Sequence, residues 1–326
     1  MKMYAIPQVF CPFETGGLRY LYQVRCHTTQ WLKTFRLTSS KEQLDYYLDQ
    51  KFAEMIVLSY PFGRAEDLCI WCDLNSLLFI VDDQLDEQGV IRGKRALLAF
   101  FRRFIRVLEN HETCTLEHDG PVFTALSDYW KRICMRSGSA WQQQFIKGVR
   151  QMFAGGLWQF EHLENNTSPS LDEYLEHRQF LGAANLATDS IEIMAGVSLP
   201  AFVHQHPVME QLVKLCRDAI CFSNDLYSYS KEAAYSQGGA AFNLVTVLSD
   251  AYDLSVENAI RKCVAIHDEC VKEFIRLSGS IYVFNTTINY KLRRYVKALE
   301  ALMKGNIEWS TRYTTRYPHL TCDYVD

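Results

Sequence analysis

Apolar side chains recur at helical spacing along most of this 326-residue chain. In the C-terminal third, Ile260, Val264, Val271 and Phe274 are separated by four, seven and three residues. A helix brings residues at those separations onto one face, where they can pack against a core. The alternation of apolar and polar residues that predicts half-buried strands is nearly absent. The pattern therefore predicts an all-α protein.

Two capping boxes mark where predicted helices begin. Ser39 is followed three residues later by Glu42, and Ser170 is followed in the same way by Glu173. In such a pair, the two side chains satisfy backbone N–H groups of the first helical turn. From these boundaries and the apolar spacing we predict about ten helices, over residues 41–58, 66–87, 93–109, 121–136, 139–164, 171–197, 207–234, 240–250, 255–278 and 283–309. Because no proline- or serine-rich linker and no repeat divides the chain, we expect a single α-helical domain over residues 1–326.

Composition and charge restrict the classes of partner. Apolar residues make up 48% of the chain and charged residues 22%, which is typical of a soluble globular protein. The formal net charge of −4 gives no electrostatic basis for binding nucleic acid or an anionic membrane. The sequence has no apolar signal segment and no apolar run of about 18 residues, so we expect no stable membrane insertion and a cytoplasmic location. The eleven cysteines are then expected to be free thiols, and the lone pair Cys69 and Cys72 lacks the partner pair of a zinc site.

Four acidic residues follow one of the most apolar segments of the chain. They are Asp82, Asp83, Asp86 and Glu87, and they come directly after the apolar run at 77–81. Asp82 with Asp86, and Asp83 with Glu87, are four residues apart, so each pair shares a helix face. Carboxylates that emerge from a buried apolar helix are costly unless cations compensate their charge. A solvated acidic face is the alternative interpretation, and this motif alone does not decide between the two.

A second polar face lies far along the chain. Asn224, Ser228 and Glu232 are spaced by four residues, so a helix turns their three oxygen donors towards one side. Oxygen donors suit a hard cation such as Mg²⁺. Such residues are often only surface residues. Two such motifs on long, apolar-faced helices, however, favour a metal cluster clamped between two helices, with a phosphate as the bridging ligand.

The paired motifs resemble those of the class I terpene synthases, in their short, single-domain microbial form. The segment DDQLDE at 82–87 is similar to the aspartate-rich motif of that family, in both its DDxxD and DDxxxE forms. Asn224, Ser228 and Glu232 fit the family's NDxxSxxxE motif in full. The resemblance extends over roughly residues 60 to 317.

Further positions match the same family. Arg178 resembles its diphosphate-sensing Arg, and Gly182 its effector Gly at a helix break. Leu181 stands where many relatives have an acidic residue that links the two, which leaves that relay open. The segment FNLV at 242–245 resembles the helix restart after the second motif.

The family's C-terminal Arg-Tyr pair has two candidates, Arg312-Tyr313 and Arg316-Tyr317. The second is preferred, because in the family the pair lies about two helical turns beyond a Trp. The corresponding residue here is Trp309.

The resemblance implies about ten helices around a central apolar cavity, and an enzyme that ionises a prenyl diphosphate with three Mg²⁺ ions. The implied metal ligands are Asp82, Asp83, Asp86, Glu87, Asn224, Ser228 and Glu232. The implied diphosphate-binding residues are Arg178, Lys231, Arg316 and Tyr317, with Gly182 beside Arg178 among the catalytic positions. Aromatic candidates for lining the cavity are Phe79, Phe153, Phe222 and Trp309.

The expected reaction is cyclisation of farnesyl diphosphate to a sesquiterpene, and geranylgeranyl diphosphate is the main alternative substrate. A chain-elongating prenyltransferase would carry a second aspartate-rich motif in place of the Asn/Ser/Glu pattern. A catalytically silent helical binding protein is a third alternative, against which the two intact motifs argue. Helix-rich enzymes of this kind often dimerise, so a homodimer is compatible with the sequence.

Overall fold

The computed structural model describes residues 4–86, 93–235 and 242–317. Its helices are α1 (Leu21–Thr34), α2 (Lys41–Asp49), α3 (Phe52–Ser59), α4 (Ala65–Asp86), α5 (Lys94–Glu109), α6 (Gly120–Cys134), α7 (Ser139–Glu164), α8 (Leu171–Leu181), α9 (Ala184–Asp189), α10 (Ile191–Ala195), α11 (Ala201–His204), α12 (Pro207–Tyr235), α13 (Leu244–Tyr252), α14 (Val256–Ser278) and α15 (Thr286–Glu308). A π-helical turn, Trp309–Tyr313, continues α15. These three ranges contain no β-strand, which confirms the all-α prediction.

Helix starts agree with the capping signals to within one residue. The Ser170 hydroxyl accepts the backbone N–H of Glu173 at 3.3 Å, as its capping box predicts. The other box is displaced by one position, because Ser40 rather than Ser39 caps α2, and it does so through the N–H of Gln43 at 3.2 Å. Helices α1 and α11 were not predicted, and the predicted helix ends at 87 and 240 lie outside the described residues.

The prediction of one helix over 41–58 was wrong, because the chain breaks between α2 and α3. Lys51 has a φ of 58°, in the left-handed region that ends a helix. The carbonyl of Gln50 accepts the indole N–H of Trp309 at 2.8 Å. Phe52 stacks on Phe79 with ring centroids 4.5 Å apart. Contacts with residues distant in sequence therefore stabilise a break that local spacing does not reveal.

The prediction of one continuous helix over 171–197 was also wrong, because this stretch forms α8, α9 and α10. Gly182 ends α8, and Ala183 follows with a φ of 55°. Gly196, with a φ of 60°, ends α10 as the sequence suggested. The break at Gly182 is the feature that the family resemblance implied and that the apolar spacing did not predict.

Helix α12 runs through the core, where it packs on α8, α14 and α15. Phe222 and Leu226, both buried on α12, anchor it in this position. Complete burial of side chains of this size contributes about 1.5–3 kcal/mol each. Helix α4 packs on α1, α3 and α6. The core thus fixes the two helices that carry the polar motifs.

The described ranges also bear on the cysteines and on membrane insertion. Every cysteine in them is free. Cys69 and Cys72 are buried, and burial raises the pKa of the Cys69 thiol to about 12, so it stays protonated at neutral pH. No helix in these ranges combines the length and the apolar character that crossing a bilayer requires.

Candidate functional site

The amide of Asn224, in the second half of α12, joins two other parts of the chain. Its Nδ2 donates to the phenol oxygen of Tyr317 at 2.9 Å. Its Oδ1 accepts from Nη2 of Arg178, on α8, at 3.1 Å. The first residue of the predicted second motif is therefore in contact with two of the predicted diphosphate-binding residues.

Arg316 joins the acidic end of α4 to the cluster around Asn224. Its Nη2 donates to Oδ1 of Asp83 at 2.8 Å and to Oδ2 of Asp82 at 3.4 Å. Burial alone would lower the pKa of the Arg316 guanidinium, but the hydrogen bond and charge of Asp83 override it and raise that pKa. Because Arg316 and Tyr317 are consecutive, one short segment connects the acidic motif to Asn224.

The two aspartates at the end of α4 differ in exposure. The Asp83 side chain is 2% exposed and paired with Arg316, whereas the Asp82 side chain is 57% exposed. Asp82 is thus the more accessible of the two for a ligand. Asp86 is the last residue of α4, and Glu87 lies outside the described residues.

The other candidate Arg-Tyr pair lies elsewhere. Arg312 is exposed in the π-helical turn, where it lies 3.5 Å from the carboxylate of Glu308. The structure therefore brings Arg316 and Tyr317, rather than Arg312 and Tyr313, to the two motifs.

Arg178 is held by a buried network that the sequence reasoning missed. Its Nε and Nη2 both donate to Oδ1 of Asp225, at 2.8 and 2.6 Å, and the Tyr174 hydroxyl donates to Oδ2 of the same carboxylate at 3.0 Å. Burial would lower the pKa of Arg178, yet the Asp225 charge raises it well above its usual value. The sequence did contain one signal for this network, namely Asp225, which directly follows Asn224 inside the motif.

Gly182 lies directly against the Arg178 side chain. A Cβ atom at this position would collide with the guanidinium Nη1. The absence of a side chain here therefore lets the arginine lie across the end of α8.

Glu232, two turns beyond Asn224 on α12, is partly buried. Its Oε2 accepts from Nδ2 of Asn243 at 2.9 Å, while Asn243 also caps α13 through the Val245 N–H at 2.9 Å. Burial raises the pKa of the Glu232 carboxyl, and the nearby charge of Asp225 raises it further. Lys231 precedes it on α12 and is partly exposed. Asn243 was noticed in the sequence only as part of a helix restart.

Two of the four aromatic candidates lie beside this cluster. The Arg316 guanidinium carbon is 4.9 Å from the centroid of Phe79, and Trp309 makes an edge contact with Tyr317 at 6.0 Å. Phe222 is buried on α12, two residues before Asn224. Phe153 instead stacks on Phe101 at 4.1 Å, where α7 packs on α5. The structure thus brings Phe79 and Trp309 to the motifs but places Phe153 in a packing role.

The residues present fit a hard divalent cation. The Ser228 oxygen is buried close enough to Glu232 to counteract part of the rise in its pKa, but within the described residues it makes no hydrogen bond of normal geometry. A buried polar atom left without a partner costs about 1–3 kcal/mol, which a bound cation would offset. The available donors are amide, hydroxyl and carboxylate oxygens, the set that Mg²⁺ prefers. In the described part of the chain, His, Cys, Asp and Glu alone do not form a group of three suited to a metal ion.

Comparison with known families gives one match that covers most of the chain. Residues 73–273 match the family described as terpene synthase family 2, C-terminal metal binding. The matched segment includes the acidic end of α4, the Arg178 region and the polar face of α12.

Two similar proteins are bacterial sesquiterpene synthases. A (+)-T-muurolol synthase of Roseiflexus castenholzii, whose name specifies cyclisation of (2E,6E)-farnesyl diphosphate, is 31% identical over 260 residues, covering 79% of this chain and 78% of its own length. A germacrene A synthase of Nostoc punctiforme is 26% identical over 310 residues, covering 95% of this chain and 94% of its own.

The fold is also that of solved microbial synthases. The crystal structure of germacradien-4-ol synthase from Streptomyces citricolor superimposes with a TM-score of 0.78 at 20% identity, covering 94% of this chain and 98% of that one. The chain therefore has the class I terpene synthase fold.

Proposed function

Because the chain belongs to terpene synthase family 2, we propose that it is a Mg²⁺-dependent cyclase that converts farnesyl diphosphate into a cyclic sesquiterpene and releases diphosphate. Terpene synthases are lyases. The choice of the C15 substrate is supported by the similar synthase whose name specifies farnesyl diphosphate.

One observation carries the proposal. The consecutive residues Arg316 and Tyr317 contact the acidic end of α4 and the polar face of α12 at once. Arg178 reaches Asn224 from a third helix. Two cationic side chains and a phenol thus converge on oxygen donors from both motifs, an arrangement suited to an anion with several charges.

We expect three Mg²⁺ ions, which would neutralise charge on the diphosphate. The residues that would hold them are Asp82, Asn224, Ser228 and Glu232, with Asp86 or Glu87 in support. The chain's own part is to stabilise the leaving group as the allylic C–O bond breaks and its electron pair moves to the diphosphate oxygen. Arg178, Lys231, Arg316 and Tyr317 donate hydrogen bonds to that developing charge. Removal of one such preorganised donor typically lowers the rate by about 10²–10³-fold.

Buried carboxylates keep the two arginines charged and oriented before substrate binds. Asp225 holds Nε and Nη2 of Arg178, while Nη1 faces Gly182. Asp83 holds Nη1 and Nη2 of Arg316, at 3.4 and 2.8 Å. A guanidinium has five N–H groups, so each arginine retains donors for the diphosphate. Little reorientation is then needed during the reaction.

The hydrocarbon part of the substrate needs an apolar, aromatic environment. Phe79 and Trp309 lie next to Arg316 and Tyr317, and Phe222 is buried nearby on α12. An aromatic face stabilises a desolvated cation by about 2 kcal/mol or more. Exclusion of water by these rings protects the carbocation until proton loss, or capture of one water, ends the reaction.

The test is to incubate the purified chain in the presence of Mg²⁺ with one prenyl diphosphate at a time, of C10, C15 or C20 length. Mass spectrometry then identifies volatile products. We expect cyclic sesquiterpenes from the C15 substrate. Products only from the C20 substrate would identify the chain as a diterpene cyclase. A longer linear diphosphate, formed with added C5 units, would identify it as a prenyltransferase. No turnover of any substrate would support a silent binding protein.

Coverage of similar proteins supports a single domain over residues 1–326. The germacrene A synthase aligns with 95% of this chain over 94% of its own length. Limited proteolysis and thermal unfolding test this proposal. Two independent domains would give two stable fragments, whereas a single domain would unfold in one cooperative step.

A further inference from the structure

A separate cavity lies at the opposite end of α4 from the two motifs. It has a volume of about 320 Å³, is partly open to solvent, and lies between the loop before α4, the end of α10 and the first turns of α15. Arg64, on its rim, precedes Asp82 by 18 residues along α4. At 1.5 Å per residue the cavity is therefore roughly 27 Å from the acidic motif. We call it the basic cavity.

Three cationic side chains, Arg64, Lys291 and Arg294, line the basic cavity, and no carboxylate does. Lys291 donates to the carbonyl of Ser198 at 3.1 Å, and Nε of Arg294 donates to the carbonyl of Ala195. None of the three forms an ion pair within the described part of the chain. The carboxylates nearest along the chain, Glu66 and Asp67 in the first turn of α4, do not line the cavity, and Asp67 is paired with Arg136.

The need to satisfy backbone carbonyls explains only part of why these three cations line the cavity. Lys291 and Arg294 satisfy carbonyls at and beyond the end of α10, and Arg294 also lies over Phe62 at 4.4 Å. Arg64, however, is exposed and has no side-chain partner among the described residues. Arg294 uses one of its five N–H donors on Ala195. Donors remain available on all three cations.

Two long helices also begin at this cavity. Arg64 accepts the Leu68 N–H through its carbonyl at the start of α4, and Thr287 lies in the first turn of α15. The first N–H groups of a helix have no acceptor within it, and the N-terminal end carries partial positive charge. The start of α15, where Asn285 accepts the Ile288 N–H, adds to the potential of the three side chains, whereas Glu66 and Asp67 in the first turn of α4 offset the positive end of that helix.

We propose that the basic cavity binds a small, multiply charged anion of the phosphate class, such as orthophosphate, inorganic diphosphate or a short phosphate ester. Three cations and the start of α15 match two or more negative charges. The volume is at the lower end of the range for small-molecule sites, which suits such an anion. Phe62 and Tyr290 give the cavity an apolar side for a short organic group.

The test is equilibrium dialysis of the full chain in EDTA, with labelled orthophosphate, inorganic diphosphate or butyl phosphate. The variant is Arg64→Gln with Lys291→Gln. The matched control is Arg95→Gln with Lys131→Gln, which removes the same charge from exposed positions on α5 and α6. Circular dichroism and thermal unfolding check folding. If the double variant unfolds, Arg64→Gln alone serves, since that side chain is exposed and forms no contact that folding needs.

We expect at least one of the three anions to bind to the native chain and to the control with equal affinity. The same anion should bind at least about tenfold more weakly to the Arg64/Lys291 variant, or to the Arg64 variant if that is used. Preference for inorganic diphosphate would point to the released product, and preference for butyl phosphate to an organic phosphate. Equal affinity in the native chain and the variant, or no binding of any of the three, would overturn the proposal. Because EDTA removes divalent metal, this result is independent of whether the chain cyclises prenyl diphosphates.

Discussion

Replacement of Asp225 by Asn tests the buried network that holds Arg178. The Asp225 side chain is 2% exposed and that of Arg178 is 7% exposed, and the carboxylate accepts two N–H groups of the guanidinium. Asn keeps the volume and one acceptor oxygen but removes the charge, which leaves a buried guanidinium uncompensated. Loss of one partner from a buried pair costs about 3–5 kcal/mol. Against a total stability of about 5–15 kcal/mol, this is a large loss.

Urea unfolding with linear extrapolation measures this loss. Tyr174→Phe is the matched control, because it removes a hydrogen bond to the same carboxylate without removing charge, at about 0.5–1.5 kcal/mol. Asp225→Asn made in an Arg178→Met background should destabilise the fold much less than Asp225→Asn alone, since no guanidinium is left unpaired. Equal losses in the two backgrounds, or a loss below about 1 kcal/mol for the single variant, would refute the reasoning.

Further substitutions test the glycine at the end of α8, the Tyr317 hydroxyl and a buried carboxyl outside the site. Gly182→Ala should lower turnover by at least about tenfold, because the new Cβ collides with Nη1 of Arg178 and displaces a diphosphate donor. Tyr317→Phe removes the partner of the Asn224 amide and one hydroxyl donor, so steady-state kinetics should show turnover about 10–10²-fold lower with stability reduced by about 1 kcal/mol. Burial raises the pKa of Asp189 from 3.8 to about 6. The unfolded chain therefore loses this proton first, and the free energy of unfolding should fall by a few kcal/mol between about pH 4 and pH 6, a fall that Asp189→Asn lacks in urea titrations.

Gly156→Ala places a Cβ at an ordinary 3.6 Å from Phe101 and should leave turnover unchanged, so equal effects of the two glycine variants would remove the steric explanation. Native turnover in Tyr317→Phe would show that its hydroxyl does not contact the diphosphate. Parallel stability curves for the native chain and Asp189→Asn across the pH range would show that this carboxyl titrates normally when folded.

The sequence was sufficient to predict the fold class and most helices, because helix formation leaves a local periodic signal. The break at Lys51 was missed because its cause is remote. Gln50 contacts Trp309, which is 259 residues away, and Phe52 stacks on Phe79. Nothing within the segment 41–58 records those contacts.

The spacing of oxygen donors predicted which residues of α12 form a polar face. It could not predict how those residues are connected. Asp225 falls outside the four-residue spacing of Asn224, Ser228 and Glu232, so the spacing argument passed over it, although it orients Arg178. Asn243 was missed because its contact with Glu232 joins α13 to α12 in space. Residues that orient other side chains follow no helical period and need a structure to be found.

The most direct test of the proposed chemistry is the rate at which diphosphate is released from farnesyl diphosphate. The native chain should release diphosphate when Mg²⁺ is present and stop when EDTA is added. Asn224→Ala, which removes the amide that joins Arg178 to Tyr317, should release it at least about 10²-fold more slowly while remaining folded. Release by Asn224→Ala at the native rate, or release by the native chain that is indifferent to EDTA, would contradict the assignment of these two motifs to diphosphate ionisation.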